Sequence, residues 1–377
     1  MDIKAKELDG SYIDQLTWLR GLAAFFVIVS HTLRATEVKY SSEDEVSSFL
    51  LMSLFDMGSF GVVLFFVLSG CTLYISNSDK VSSNKEIAIF YVKRFFRIWP
   101  AFVVSLVVYI CFRFIFSTWY VEPQGHWVEK QFLLQYSIYD VFSYLAFTFN
   151  LTGPSGLFNN AYWSLPVEFQ YYIIFPIIVA SLKFGVVGPV SLGLALYILP
   201  KFGFYDFDNK VVFTLAFSFC GGVLVGYIYK KSLFRINSLL GLSLFFFLVC
   251  LSSAISQSYI TLPDFPIVSG AWNWYGGIAI ASVFVVLVTK INIHNKVGLF
   301  LKHYGTISYS TYLYHNLFVA IAVLLIINFD IYDDNLRLFF TFFFTLIASY
   351  LTASISYRYI EKPSIVVGRN IIRKYKK

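Results

Sequence analysis

Arg20 and His31 stand eleven residues apart, and the stretch between them, Gly-Leu-Ala-Ala-Phe-Phe-Val-Ile-Val-Ser, is almost wholly apolar. On an α-helix that interval is about three turns, roughly 16 Å of rise, and it returns to within about 20° of the same face. A cation at a membrane edge and a histidine deep in the span would then share one stripe. Ionisable groups are expensive inside a bilayer and commonly mark a site. The plainer readings are an arginine snorkelling from a helix end and a buried histidine bonded to a neighbour. A neutral imidazole can take a proton and return it, which is the work of a general base.

Further groups carry chemistry. Arg94 and Arg97, in Lys-Arg-Phe-Phe-Arg-Ile-Trp-Pro, are i and i+3 and project from one helix face. Two guanidinium forks there suit a phosphate or pyrophosphate. An ordinary cationic cluster ahead of a span fits the spacing equally well. Glu168, in Trp163-Ser-Leu-Pro-Val-Glu168, enters an apolar stretch with no adjacent cation in sequence. An unpaired carboxylate in lipid is costly, so Glu168 is expected to face a polar cavity or a partner such as His31 or an arginine. A structural ion pair is the alternative. His315, in Tyr-Ser-Thr-Tyr-Leu-Tyr-His-Asn, is either a site residue or a satisfied packing histidine. Ser69 and Gly70 close the run Gly-Val-Val-Leu-Phe-Phe-Val-Leu. They offer a small-residue surface that close helix packing also explains.

The elements that must position these residues are membrane helices. Of the 377 residues, 58% are hydrophobic and only 14% charged; the mean hydropathy is +0.68. A soluble chain of this length needs far more charge to cover its surface. Uncharged runs recur from Met57 to Ser78, Val141 to Val167, Val211 to Tyr229, Ile236 to Pro263 and Leu338 to Tyr357. Each is long enough to cross about 30 Å of hydrocarbon. The predicted class is an all-α, polytopic integral membrane protein. Its spans are expected near 16–33, 57–76, 98–117, 164–182, 184–200, 211–229, 236–256, 270–289, 308–328 and 337–357.

The net charge of +7 follows this plan rather than a nucleic-acid footprint. Alternate connections hold Lys80, Lys85, Lys93, Arg94 and Arg97; Lys230, Lys231 and Arg235; Lys290, Lys296 and Lys302; and a basic tail from Arg358 to Lys377. The opposite loops hold Asp264, and Asp330, Asp333 and Asp334. Positive charge stays cytoplasmic, which places both termini in the cytoplasm. Residues 132–151 are apolar but carry Asp140. An added span there would invert every later loop, so a re-entrant or interfacial helix is expected.

Cys71, Cys111, Cys220 and Cys250 fall in expected spans without a Cys-x-x-Cys pair, and neither a disulfide framework nor a metal site is implied. The polar start has no cleavable signal pattern, so the first span is expected to be an uncleaved anchor. No internal repeat stands out. The expected organisation is a transmembrane domain over 1–364 and a basic cytoplasmic tail over 365–377.

Together, these groups in this order resemble the membrane-bound acyltransferase family 3, whose members O-acylate bacterial surface glycans. Arg20 with His31 is similar to its Arg-x10-His motif, and Arg94 with Arg97 to its Arg-x-x-Arg motif. Phe65-Phe66-Val-Leu-Ser69-Gly70, Trp163-Ser164-Leu165 with Glu168, Tyr312-Leu-Tyr-His315 and Tyr359-Ile-Glu361-Lys-Pro363 resemble its other signatures. Val63, Pro166 and Cys71 depart from the family's usual residues. The resemblance covers roughly residues 12 to 364.

The resemblance implies acyl transfer from acyl-CoA, with acetyl-CoA as the expected donor, to a sugar hydroxyl of a lipid-linked or envelope polysaccharide. It implies phosphate docking at Arg94 and Arg97, help from Arg20, and His31 as the general base or transient acyl carrier. Glu168 would orient or charge-stabilise the imidazole, as a carboxylate does in a triad. His315, Trp163 and Ser69 are further candidates. The expected setting is the lipid bilayer of a bacterial inner membrane, and only a short tail after the last span suggests a stand-alone transferase. A multi-pass transporter or flippase of lipid-linked glycan is the competing class. Such folds often show paired broken helices and repeats.

Overall fold

The computed structural model describes residues 13–36, 54–119, 127–128, 132, 134–153, 156–198, 211–231, 235–258, 260, 271–289 and 295–376. Asp264, Lys290 and Lys377, used in the sequence arguments above, lie outside them. Every regular element among the described residues is helical. In chain order they are α1 (Asp14–Thr36), α2 (Gly58–Asn77), α3 (Asn84–Trp119), α4 (Ile138–Leu145), α5 (Phe149–Thr152), α6 (Ser164–Ser181), α7 (Val187–Ile198), α8 (Val211–Thr214), α9 (Ala216–Lys231), α10 (Ser238–Ser256), α11 (Ala271–Thr289), α12 (Lys296–Thr306), α13 (Ser308–Asn328), α14 (Asp334–Ser356) and α15 (Lys362–Lys376). A π turn over Tyr357–Glu361 joins the last two into one continuous helix.

Seven of these helices are long and apolar enough to cross a membrane. They include the segments built on α1, α2, α3, α6, α10, α13 and α14. Val187–Ile198 and Trp274–Thr289 are shorter apolar helices, and the span expected over 211–229 is broken into α8 and α9. Residues 138–152 form helices of 8 and 4 residues, too short to cross, with Phe147 between them at φ 53°. Ser137 caps the first by accepting the Asp140 N–H at 3.3 Å, and its hydroxyl and backbone N–H both donate to Asp140 Oδ2 at 2.7 Å. Those bonds hold the Asp140 carboxyl below the usual carboxylate range.

At 36 residues, α3 runs about 54 Å, well beyond the hydrocarbon thickness. Its apolar half follows Ile98, so Lys93, Arg94 and Arg97 fall on the excess length before it. Pro100 lies inside this helix and removes the N–H that would bond the Phe96 carbonyl.

The chain forms two compact units. The first comprises Met1–Phe26, Ser59–Phe90 and Gln170–Thr306; the second, Val27–Gly58, Tyr91–Phe169 and Ile307–Lys377. In the first, α9 packs on α7 and α11, and α10 on α11. Glycines let α2 and α9 touch backbone to backbone. A Cβ on Gly70 would strike the Phe219 carbonyl, and one on Gly222 the Val67 carbonyl. Small residues are how membrane helices approach closely where no water drives them together. Gly70 therefore has a packing role. Gly222→Leu is expected to deplete folded protein several-fold, since overpacking a tight contact costs about 1–3 kcal/mol or more. Gel filtration of detergent extracts from equal amounts of membrane reads this directly, and a wild-type profile would show that the two helices part without cost.

In the second unit, α13 packs along α14. Most of α13 is buried, including Ser310, Thr311, His315 and Asn316. Asp333 caps α14 through the Leu336 N–H at 2.7 Å. Arg337, one turn in, donates to the Thr36 carbonyl at the end of α1 at 3.0 Å. That bond satisfies a terminal carbonyl which α1 cannot bond itself.

Candidate functional site

Arg20 and Ser69 belong to the first unit; His31, Arg94, Arg97, Trp163, Glu168 and His315 belong to the second. Within the first unit, Arg20 Nη2 donates to Thr72 Oγ1 at 2.9 Å. The guanidinium lines a small cavity of ≈ 20 Å³ with Thr17, Thr72 and Ser76 among its walls, room for about one water. Ser69 is half-buried beside the Gly70 contact.

The second unit gathers a polar cluster around His31. His31 Nδ1 is hydrogen-bonded to Asn316 Oδ1, and the His315 ring lies 5.0 Å away between centroids, tilted by 53°. Trp127 meets the His31 ring edge-on at 6.0 Å. His31 is partly exposed, whereas His315 is 1% and Asn316 1% exposed.

The proton on His31 can be located by following hydrogen bonds back to the main chain. The Ala161 N–H, which can only donate, meets Asn159 Oδ1 at 2.9 Å. The Leu313 carbonyl, which can only accept, meets Asn159 Nδ2 at 3.1 Å. These two contacts fix the Asn159 amide. Its Oδ1 then requires a donor from Asn316, whose Nδ2 lies at 2.8 Å. Asn316 accordingly turns Oδ1 toward His31, and His31 Nδ1 must carry the hydrogen. In the neutral ring, Nε2 is left as the lone-pair nitrogen.

His315 is pinned in the same tautomer by a different route. Its Nδ1 sits 2.9 Å from the Tyr312 carbonyl and 3.3 Å from that of Thr311, both acceptors, so Nδ1 carries the hydrogen. Nε2 is buried and has no hydrogen-bond partner among the described residues.

The scaffold around the pair is hydroxyl-rich. Tyr312 Oη donates to the Ala161 carbonyl at 2.5 Å and receives the Ser164 hydroxyl at 2.7 Å. Ser105 Oγ donates to the Phe102 carbonyl at 2.8 Å, so Tyr162 Oη donates to Ser105 at 2.7 Å. Tyr109 Oη accepts the Leu317 N–H at 2.9 Å. Asn159 Nδ2 and Tyr109 Oη thus reach the Leu313 carbonyl and Leu317 N–H, groups that pair with each other on a regular helix. His315 and Asn316 lie between them.

Glu168 is partly buried on the first turns of α6. It lies one helical turn after Ser164, whose hydroxyl donates to Tyr312. Trp163 ends the short turn Asn160–Trp163 and is partly exposed. Arg94 is partly buried and Arg97 exposed. The Arg97 guanidinium acts electrostatically on Glu361, a carboxylate only 2% exposed. Ser310 on α13 donates to Glu361 Oε2 at 3.1 Å, and its oxygen lies 3.2 Å from Ser356 Oγ. Tyr309 Oη donates to the Ile98 carbonyl at 2.9 Å, next to Arg97.

Sequence reasoning picked out His31, His315, Arg94, Arg97 and Glu168 but passed over Asn159, Asn316 and Glu361 as site residues. Asn316 follows His315 directly, which was the available signal. Nothing in sequence marks Asn159, 157 positions before its partner.

A family model described as an acyltransferase domain, the acyltransferase 3 model, matches residues 13–354. An O-acetyl transferase of Shigella phage Sf6 is 29% identical over 202 residues, 52% of this chain and 54% of the relative. Acyltransferase MdmB of Streptomyces mycarofaciens is 29% identical over 168 residues, 44% of this chain and 38% of the relative. Peptidoglycan O-acetyltransferase OatA of Listeria monocytogenes is 23% identical over 390 aligned positions, 93% of this chain and 56% of the relative. The chain therefore spans between 38% and 56% of the length of these relatives. No solved structure matches. A match that takes in His31, Arg94, Arg97, Glu168 and His315 together, on an all-helical frame, means that this chain belongs to the acyltransferase 3 family.

Proposed function

We propose that the protein is a membrane O-acyltransferase moving an acetyl, or another short acyl, group from acyl-CoA to a sugar hydroxyl of a lipid-linked or envelope polysaccharide. The observation that carries this reading is the proton bookkeeping at His31. A partly exposed imidazole presents a basic Nε2 because Asn316 holds the hydrogen on Nδ1. Such a nitrogen takes a hydroxyl proton, or the acyl group itself, during transfer. The names of the phage and Listeria relatives favour acetyl as the group moved and an envelope glycan as the acceptor.

The remaining residues take the following parts. Arg94 and Arg97, on the polar end of α3, receive the CoA phosphates. Arg20 assists with a phosphate or the thioester carbonyl. Because Asn316 occupies His31 Nδ1, Glu168 is assigned not to orienting that imidazole, as expected from the resemblance, but with Ser164 and Tyr312 to a polar wall that orients the acceptor. Trp163 offers a face for a sugar ring, and Ser69 lines the helix that packs through Gly70. The chain crosses a bacterial inner membrane about ten times, with both termini in the cytoplasm beside the donor.

Replacing Arg94 and Arg97 together by Gln is expected to raise the acetyl-CoA KM by about 10²-fold. Each lost charge-assisted hydrogen bond is worth about 1.5–3 kcal/mol, and about 1.4 kcal/mol is tenfold. An unchanged KM in membranes holding equal amounts of the variant would take the phosphates away from this face. The reaction class is tested by incubating such membranes with labelled acetyl-CoA and counting acetyl in the glycan fraction. Absence of transfer, with uptake or movement of lipid-linked glycan in its place, would favour the transporter class.

A further inference from the structure

The two histidines pose a question that one general base does not answer. Both are fixed with hydrogen on Nδ1, by Asn316 in one case and by the Tyr312 and Thr311 carbonyls in the other. Both therefore offer a lone pair at Nε2. His31 is partly exposed, whereas His315 Nε2 is buried with no donor among the described residues. A buried acceptor left without a donor is destabilising, and a ligand that supplies the hydrogen relieves it. The rings are 5.0 Å apart between centroids, close enough for one small group to touch both. A sugar hydroxyl is such a donor, and it is the group that must lose a proton during transfer.

We propose that the two imidazoles divide the reaction, His31 carrying the acyl group and His315 acting as the catalytic base toward the acceptor hydroxyl. This rests on the acyl-CoA reading above. In the first half, the His31 Nε2 lone pair attacks the thioester carbonyl carbon. The C–N bond forms, the C–S bond breaks, and CoA leaves as thiolate. The hydrogen stays on Nδ1, donated to Asn316 Oδ1, so the acylated ring is a cation. In the second half, the acceptor oxygen attacks the acyl carbon while its proton passes to His315 Nε2. The C–N bond breaks and its electron pair returns to His31. The proton on His315 then passes through solvent to balance the thiolate. The sum is acyl-CoA plus hydroxyl giving ester plus CoA–SH, with no other reactant. Division into halves also lets the donor leave before the glycan is acylated.

The decisive variant is His315→Asn. Its side chain can still donate to the Tyr312 carbonyl, but it has nothing at the Nε2 position. His315→Gln, which places an amide near that position without its basicity, is the second variant. Full-length wild type, both His315 variants and His31→Asn are reconstituted in lipid vesicles and given labelled acetyl-CoA without acceptor. Acid-quenched protein is counted for label, and exchange of labelled CoA into acetyl-CoA is followed in parallel.

The expected result is label and exchange in wild type and in both His315 variants, and neither in His31→Asn. Adding acceptor glycan should discharge the wild type, while the His315 variants keep their label and turn over at least about 10²-fold more slowly. Persisting exchange shows that those variants are folded, which a purely structural role for His315 would not predict together with lost transfer. His315 variants that lose exchange along with transfer, or that transfer at the wild-type rate, would overturn the proposal. A wild type that transfers acetyl yet shows neither label nor exchange would overturn it alone, leaving the acyl-CoA reading in place. A wild type that draws no acetyl from acetyl-CoA would overturn both.

Discussion

Alanine at His31 is expected to cut acetyl transfer by at least about 10²–10⁴-fold, the usual contribution of a positioned acid–base group and a lower bound where the ring itself carries the acyl group. The loss should fall on kcat, because His31 is not among the residues assigned to the CoA phosphates. The substitution also leaves Asn316 Oδ1 without the hydrogen it now accepts. An orphaned buried acceptor costs about 1–3 kcal/mol, so rates must be compared at equal amounts of folded protein. Counting labelled acetyl transferred to glycan, per mole of purified protein, provides the comparison. Transfer that survives the change would remove His31 from the mechanism whatever the family match.

The second large effect is expected one step behind, at Asn316. Asn316→Leu keeps the branched shape of the side chain in α13 but makes it apolar and offers His31 Nδ1 no acceptor. The ring is then free to put its hydrogen on Nε2 or to swing away. In a Ser-His-Asp triad, loss of the correct tautomer is among the costliest single changes. Here kcat is expected to fall by about 10²-fold or more, with the acetyl-CoA KM nearly unchanged. Asn159→Ala acts one bond further back and should lower kcat in the same direction by less. A wild-type kcat in Asn316→Leu would show that the Asn159–Asn316 chain serves packing alone.

Much of the frame could be read from the residues themselves. The run from Ser308 to Asn328 is a helix with the expected bounds, because no Gly, Pro or charged residue interrupts it. The expected spans over 184–200 and 211–229 fared less well. Apolar composition reports that a segment avoids water, but it does not say where a helix breaks within it. At the site, histidines and arginines stand out in an apolar sequence because each is costly there. An asparagine is cheaper and less conspicuous, and Asn316 reaches His31 across 285 positions. Glu361 was visible as part of Tyr359-Ile-Glu361-Lys-Pro363, but its burial was not. It sits near Arg358 and Lys362 and reads as one more charge on a solvated helix. A helical period counted from buried Ser356 predicts Ile360 inside, but the π turn adds a residue to the turn. Glu361 comes round to the inner face in its place, where Ser310 bonds both.

The origin of the His31 tautomer has a consequence for how this site tolerates mutation. The chain of amides starts at the Ala161 N–H and the Leu313 carbonyl, atoms that almost every amino acid supplies identically. The instruction for where the proton sits is therefore held in the main chain, and side-chain replacement cannot delete it at its source. A mutational scan would mark the relays, Asn159 and Asn316, and pass over positions 161 and 313 as permissive so long as the new side chain fits. Proline at 161 is the exception, since it alone removes the donor. Tolerance at those two positions would then be a sign of robust encoding rather than of irrelevance.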